Sequence, residues 1–212
     1  MEWAYEDVQI GERKLSEWKL MLREASIPQP SVKTNYVEIP GSDEPLDYTE
    51  AFGRVFYGNR TGVKMVFDYI GDYREFQNVV SRVANDIHGV RKKVVFGFDP
   101  LFYYLGRLTV DPDKTNEATG TITLTGTMEP YKYRRTVTVK TYTISEEITV
   151  TLENLRRPVV PIMTVTGEVT VNGLTLAAGT VQNPDIVLES GKNVFTLSGS
   201  GTIRFEYQEA GL

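Results

Sequence analysis

Cysteine is absent from this 212-residue chain, and histidine occurs once, at His88. Disulfides, thiolate nucleophiles and Cys-ligated zinc or iron–sulfur centres are thereby excluded, as is any site that needs several histidines. No apolar run approaches the roughly 18 residues that a membrane span requires. The first residues (MEWAYEDVQIGERK) carry acids where a secretory leader carries bases followed by an apolar stretch. The expectation is synthesis in the cytoplasm without membrane insertion. A nucleophile elbow of the G-x-S-x-G type is missing. Gly53, Gly58 and Gly62 lack the strand–Gly–helix context that holds a pyrophosphate. The stretch Asp111-Pro112-Asp113-Lys114-Thr115 opens like a calcium loop, but Asn116 stands where the loop needs glycine and Ile122 where it needs a bidentate glutamate. It reads as an acidic inter-domain turn. The sequence predicts no catalytic residue, no metal and no cofactor. A net charge of −5 disfavours tight binding to a phosphate backbone.

What the chain does have is an uneven distribution of threonine: 3 up to residue 108 and 20 from Thr109 onward. Threonine is β-branched and suits a pleated, half-wet surface. Two modules are expected, a mainly β N-terminal domain with one helix over 1–110 and a small antiparallel β-sandwich over 111–212.

The helix is expected over about 72–88. Phe76, Val79, Val80, Val83, Ala84 and Ile87 recur at spacings of three and four, which places them on one face. Asp72 serves as N-cap, Glu75 completes a capping box and Gly89 ends the helix. His88 meets the negative end of the helix dipole, a structural role. Val63, Met65, Phe67 and Tyr69 alternate as the apolar face of a strand. Two more strands, 93–98 and 101–110, are joined by Asp99-Pro100. In the second half Asn172-Gly173 is a strong hairpin signal, and Ser198-Gly199-Ser200-Gly201 reads as the loose tip of a second hairpin.

Residues 27–48 differ in kind. Pro28, Pro30, Pro40 and Pro45 punctuate them, and proline cannot donate to a ladder. They form a projecting extended arm that needs a partner surface. Two basic clusters, Arg91-Lys92-Lys93 and Tyr131-Lys132-Tyr133-Arg134-Arg135, read as solvated strand faces or subunit contacts, given the acidic total. Tyr103-Tyr104 reads as ordinary alternation along a strand.

Several short motifs now fall into one order: Ile10-Gly11, Leu15-Ser16-Glu17-Trp18, Lys33-Thr34-Asn35-Tyr36-Val37-Glu38-Ile39-Pro40-Gly41, Leu46-Asp47-Tyr48-Thr49-Glu50, Tyr57-Gly58-Asn59-Arg60, Ile87-His88-Gly89, Asp99-Pro100 and Tyr103-Tyr104-Leu105-Gly106-Arg107. Across about residues 10–108 this order resembles the distal tail protein (Dit) family of long-tailed, non-contractile phages. It departs at Asp43-Glu44-Pro45, where the family has Asp-Gly. The resemblance implies a tail-tube-like β domain with one packed helix, followed by a galectin-like sandwich. It implies a homo-hexameric ring in the virion's tail tip, around a channel through which DNA passes without specific binding. The implied neighbours are the tail-tube protein, the tail-associated lysin or fibre hub, and a receptor-binding protein. The expected subunit interface is Tyr36, Ile39, Pro40, Gly41, Leu46, Asp47 and Tyr48, with Arg60. The alternative reading is a carbohydrate-binding sandwich for host adhesion, with Tyr131, Tyr133 and Tyr142 as its platform.

Overall fold

Alternating apolar residues build most of the molecule into antiparallel sheet, and one amphipathic stretch supplies the single α-helix among the described residues. The computed structural model describes residue 5, residues 7–114 and residues 119–212. It divides into two units, Met1–Lys132 and Tyr133–Leu212.

Unit 1 contains β1 (Val8–Ile10), β2 (Arg13–Lys14), a 3-10 turn (Leu15–Trp18), β3 (Leu20–Ser26), β4 (Tyr36–Val37), β5 (Leu46–Asp47), β6 (Arg60–Ile70), α1 (Tyr73–Ile87), β7 (Arg91–Phe96), β8 (Phe102–Asp113) and β9 (Thr119–Met128). The main sheet runs β2-β1-β7-β8-β9-β6-β3, and β4 and β5 pair only with each other. Val63, Met65, Phe67 and Tyr69 of β6 are buried as their alternation requires. They pack with Phe76, Val79, Val83 and Ile87 of α1 and with Leu108, Ile122 and Leu124. Each such side chain contributes about 2 kcal/mol by leaving water.

The helix begins where its cap places it: Asp72 is extended and its Oδ1 accepts the Glu75 N–H at 2.9 Å. The reciprocal half of the box does not form. The Glu75 carboxylate instead accepts the Tyr69 hydroxyl at 2.9 Å and the Lys19 ammonium at 3.1 Å, two donors from elsewhere in the sheet and turn. At the other end Gly89 (φ +72°) breaks the helix and its N–H reaches Leu108 O at 2.8 Å. The His88 Nδ1 accepts the Val110 N–H at 3.2 Å, so the ring tethers the helix end to β8.

The boundary between units lies after Lys132 rather than after residue 110. β9 holds the threonines 119, 121, 123, 125 and 127, yet it pairs with β6 from Ile70↔Thr119 to Arg60↔Met128. Threonine marked strand there without marking which sheet the strand joins. The acidic stretch 111–113 is likewise no turn: Asp111, Pro112 and Asp113 continue β8 opposite Thr123, Ile122 and Thr121. Thr115 and Asn116 lie outside the described residues.

The short strand β10 (Lys132–Arg134) spans the boundary. Unit 2 contains β11 (Thr138–Ile144), β12 (Ile148–Asn154), β13 (Ile162–Val171), β14 (Leu174–Leu176), β15 (Gly179–Val181), β16 (Gly191–Tyr207) and β17 (Ala210–Gly211). The Asn172-Gly173 hairpin forms, with both residues at positive φ (47° and 85°) as its two-residue turn demands. Residues 198–201 are not a hairpin tip. They lie inside the 17-residue strand β16. β11 pairs with one half of that strand, Thr138↔Tyr207 to Ile144↔Gly201, and β12 with the other, Ile148↔Leu197 to Asn154↔Gly191. A single register therefore runs through both and breaks only at residues 145–147. A Cβ on Gly201 would lie 1.9 Å from Thr166 O, and one on Gly199 would lie 2.4 Å from Glu168 O. The glycines let β13 and β16 approach backbone to backbone. Side chains from both halves of β16, among them Phe195, Leu197, Ile203 and Phe205, enter one core.

Candidate functional site

The arm is a hairpin with two legs. Its base is closed by the Gly58 N–H to Ser31 O at 2.8 Å and the Lys33 N–H to Phe56 O at 2.9 Å. Further out Tyr48 N–H donates to Asn35 O at 2.7 Å, and Tyr36↔Asp47 and Val37↔Leu46 pair β4 with β5. Gly41 (φ +83°) turns the tip, where the Ser42 N–H meets Ile39 O at 3.1 Å. The Asp47 carboxylate accepts the Thr49 N–H at 2.8 Å, and the Thr49 hydroxyl and N–H hold its pKa below the usual carboxylate range.

Every residue from 31 to 48 is exposed. A two-stranded ribbon with no sheet to lie on cannot bury side chains on either face. Val32, Tyr36, Val37, Ile39, Leu46 and Tyr48 thus meet water along the arm, and Phe52 is 85% exposed. Seven of the eight expected interface residues, Tyr36, Ile39, Pro40, Gly41, Leu46, Asp47 and Tyr48, are brought together on this ribbon.

Arg60 is the exception. It is 1% exposed and presents nothing to a neighbour. Its Nε donates to Pro130 O at 3.0 Å, and its Nη1 donates to Pro28 O at 3.0 Å and Gln29 Oε1 at 3.3 Å. The guanidinium also lies over the Tyr104 ring at 5.5 Å, while Nη2 is buried without a partner. Burial lowers its pKa. Arg60 is a positioning residue that ties the two ends of the arm, residues 28–29 and 60, to the loop at 130.

The expected arm ended at about 48 and missed its return leg. Phe52 and Phe56 stand edge to face at 6.3 Å, and the Arg54 guanidinium lies 4.9 Å from the Phe56 ring centre. The sequence signal for that leg is the lack of any apolar alternation between Thr49 and Val63.

The other sequence features are absorbed by structure. Lys92 pairs with Asp86 at 2.7 Å, Arg91 pairs with Glu129, and Lys93 lies over the Tyr103 ring at 4.7 Å. Lys132 pairs with Asp99 at 2.8 Å and Arg134 with Glu209 at 3.2 Å. Tyr103 and Tyr104 are buried. The Tyr131 ring stands edge-on to Tyr57, Tyr142 edge-on to Phe205, and Tyr133 lies under Arg157. Among the described residues no cluster of His, Asp and Glu could hold a metal ion, and no helix is long and apolar enough to cross a membrane.

This chain, a helix-bearing antiparallel sheet with a projecting hairpin followed by a second antiparallel unit, has a Dit-like fold. A solved structure that matches it is that of SPP1 Dit (gp 19.1), described as a paradigm of hub adsorption apparatus in Gram-positive infecting phages. The TM-score is 0.68, and the match covers 95% of this chain and 98% of that one at 13% sequence identity. No protein-family model matches the sequence, and no curated protein matches it.

Proposed function

We propose that this chain is a structural, non-catalytic hub of a phage or prophage tail tip. Six copies close into a ring around the DNA channel, between the tail-tube protein and the lysin or fibre hub, with receptor-binding proteins as further neighbours. The ring is made in the bacterial cytoplasm and resides in the virion. The observation that carries this reading is the exposed apolar ribbon at 31–56, on a chain of which 95% matches a Dit structure in fold. An arm that cannot bury its own side chains gains by laying them on a sibling, and a head-to-tail contact repeated around an axis closes on itself. Six copies at −5 each carry about −30, a charge that keeps passing DNA from sticking to the ring.

Size-exclusion chromatography with light scattering, run on concentrated protein with and without a cognate tube protein, tests the ring. The expected species is six times 23.9 kDa. Ile39→Asp and Leu46→Asp together are expected to abolish it while leaving the monomer's melting temperature unchanged, since both side chains are already exposed. Solitary molecules under all these conditions, or a ring indifferent to both substitutions, overturns the proposal.

A further inference from the structure

Unit 2 carries a polar cleft of about 790 Å³ whose lining includes Arg134, Lys140, Glu153, Asn154, Lys192 and Glu209. We propose that it binds an anionic, hydroxyl-rich glycan polymer through Lys140 and Lys192, the charge being phosphate or carboxylate. This rests on unit 2 alone and stands whether or not the chain forms a ring.

The charge of the cleft is unusual for this chain. Unit 2 holds seven Lys and Arg against eight Asp and Glu, so most of the net −5 belongs to unit 1. Three of those seven cations face the cleft. Arg134 is engaged: its Nη1 donates to Glu209 Oε1, which also accepts the Thr138 hydroxyl at 2.5 Å. That pairing neutralises the one buried acid of the cleft. Lys140 and Lys192 are exposed and make no ion pair among the described residues. Glu153 stands opposite Lys192 in the β12–β16 ladder, yet the two form no salt bridge. The cleft therefore sets three cations against two acids, with Lys140 and Lys192 outside the Arg134–Glu209 pair and the exposed Glu153 beside them.

The lining selects the kind of polymer. A neutral sugar needs an open aromatic face, but Tyr207 is 4% exposed and its hydroxyl is spent on Glu153 O at 2.7 Å. An acidic peptide needs apolar pockets for its side chains, and Leu155 is the sole aliphatic side chain in the lining. Thr138 and Tyr207 already donate their hydroxyls within the protein, so the lining offers a sugar backbone the Thr151 hydroxyl and the accepting side of Thr138. In the cleft wall Asn154 spends its Nδ2 on Arg157 O and Leu188 O, and its Oδ1 is buried without a donor. A glycan brings several hydroxyl donors per residue, whereas a carboxylate peptide brings donors only at its backbone N–H groups.

Isothermal titration of the full chain tests this with four probes: poly(glycerol phosphate), polygalacturonate, neutral dextran and poly-L-glutamate. Because the chain as a whole is acidic, a polyanion binds it only where cations are gathered locally. One or both charged glycans are expected to bind, which tells phosphate from carboxylate, and dextran and polyglutamate are not. The Lys140→Ala/Lys192→Ala variant, altered only at exposed side chains, is expected to weaken that binding at least ten-fold. Raising salt from about 50 to about 300 mM is expected to weaken it several-fold. Failure of both charged glycans to bind, or binding untouched by the double variant, overturns the proposal. Equal binding of polyglutamate assigns the cleft to an acidic peptide instead, and equal binding of dextran removes the role of charge.

Discussion

Two buried polar side chains do work that no periodicity announces. Arg60 opens β6 at the end of a motif that reads as surface, and its burial arises from carbonyls 32 and 70 residues away, at Pro28 and Pro130. Only the closed fold supplies those partners, so the sequence placed Arg60 with the interface and the structure places it beneath the arm. Arg60→Ala is expected to cost about 2–4 kcal/mol by denaturant titration, because it strands those acceptors and opens a cavity. Arg60→Met, which fills the space and removes the buried charge, is expected to cost less. Tyr207 makes the matching case in unit 2. Burial first, and then the nearby Glu209, pushes its phenol up to about 12. A group whose folded pKa is raised stabilises fully below its unfolded value near 10 and loses that contribution as pH climbs through the folded one. Unit 2 is therefore expected to weaken between about pH 10 and pH 12, tracked by tyrosinate absorbance. Tyr207→Phe should remove the last tyrosine step and, through the lost bond to Glu153 O, about 1 kcal/mol.

At the scale of elements, what was legible depended on how local the cause is. The helix was readable because its cap, its apolar face and its terminating glycine all lie within seventeen or so residues, about the reach of helix signals. The Asn172-Gly173 turn was readable for the same reason. The run Ser198-Gly199-Ser200-Gly201 is ambiguous in sequence because a hairpin tip and a close approach of two strands both call for glycine; what separates them is the partner strand, 28 to 34 residues off in sequence. Substitutions are expected to tell the two uses apart. Gly173→Ala meets no atom within 4 Å and bears only the strain of positive φ, about 1 kcal/mol. Gly201→Ala drives a methyl to 1.9 Å from Thr166 O and is expected to cost more than about 3 kcal/mol, or to block folding of unit 2. The helix start carries an acid dependence. Backbone N–H groups of Glu75 and Arg74 hold the Asp72 pKa down, and Lys19 and Tyr69 do the same for Glu75. Depressed carboxyls stabilise above their unfolded values and lose that as pH falls through the folded ones. Helix melting followed by circular dichroism is expected to set in below about pH 4, and Asp72→Asn should flatten that limb.

For the whole molecule, composition changes at Thr109, whereas the two compact units meet after Lys132. The threonine count changes at Thr109 because β8 and β9 already use that residue on their wet faces, while the cores change only after Lys132. Cores, not compositions, decide what folds alone. The buried set of unit 2 runs from Ile144 to Tyr207 and closes without any residue before Tyr133. Its polar fastenings, Asn154 to Arg157 O and Leu188 O, Tyr207 to Glu153 O and Glu209 to Thr138, are internal as well. A fragment of residues 133–212 is therefore expected to fold by itself. Its size leaves a small margin, since a domain of this length buries only about 60–65% of its unfolded surface. The expected behaviour is one cooperative thermal transition with dispersed amide resonances, and a most resistant tyrosine that still titrates near 12. Resonances collapsed to random-coil positions would instead mean that its stability depends on residues before Tyr133.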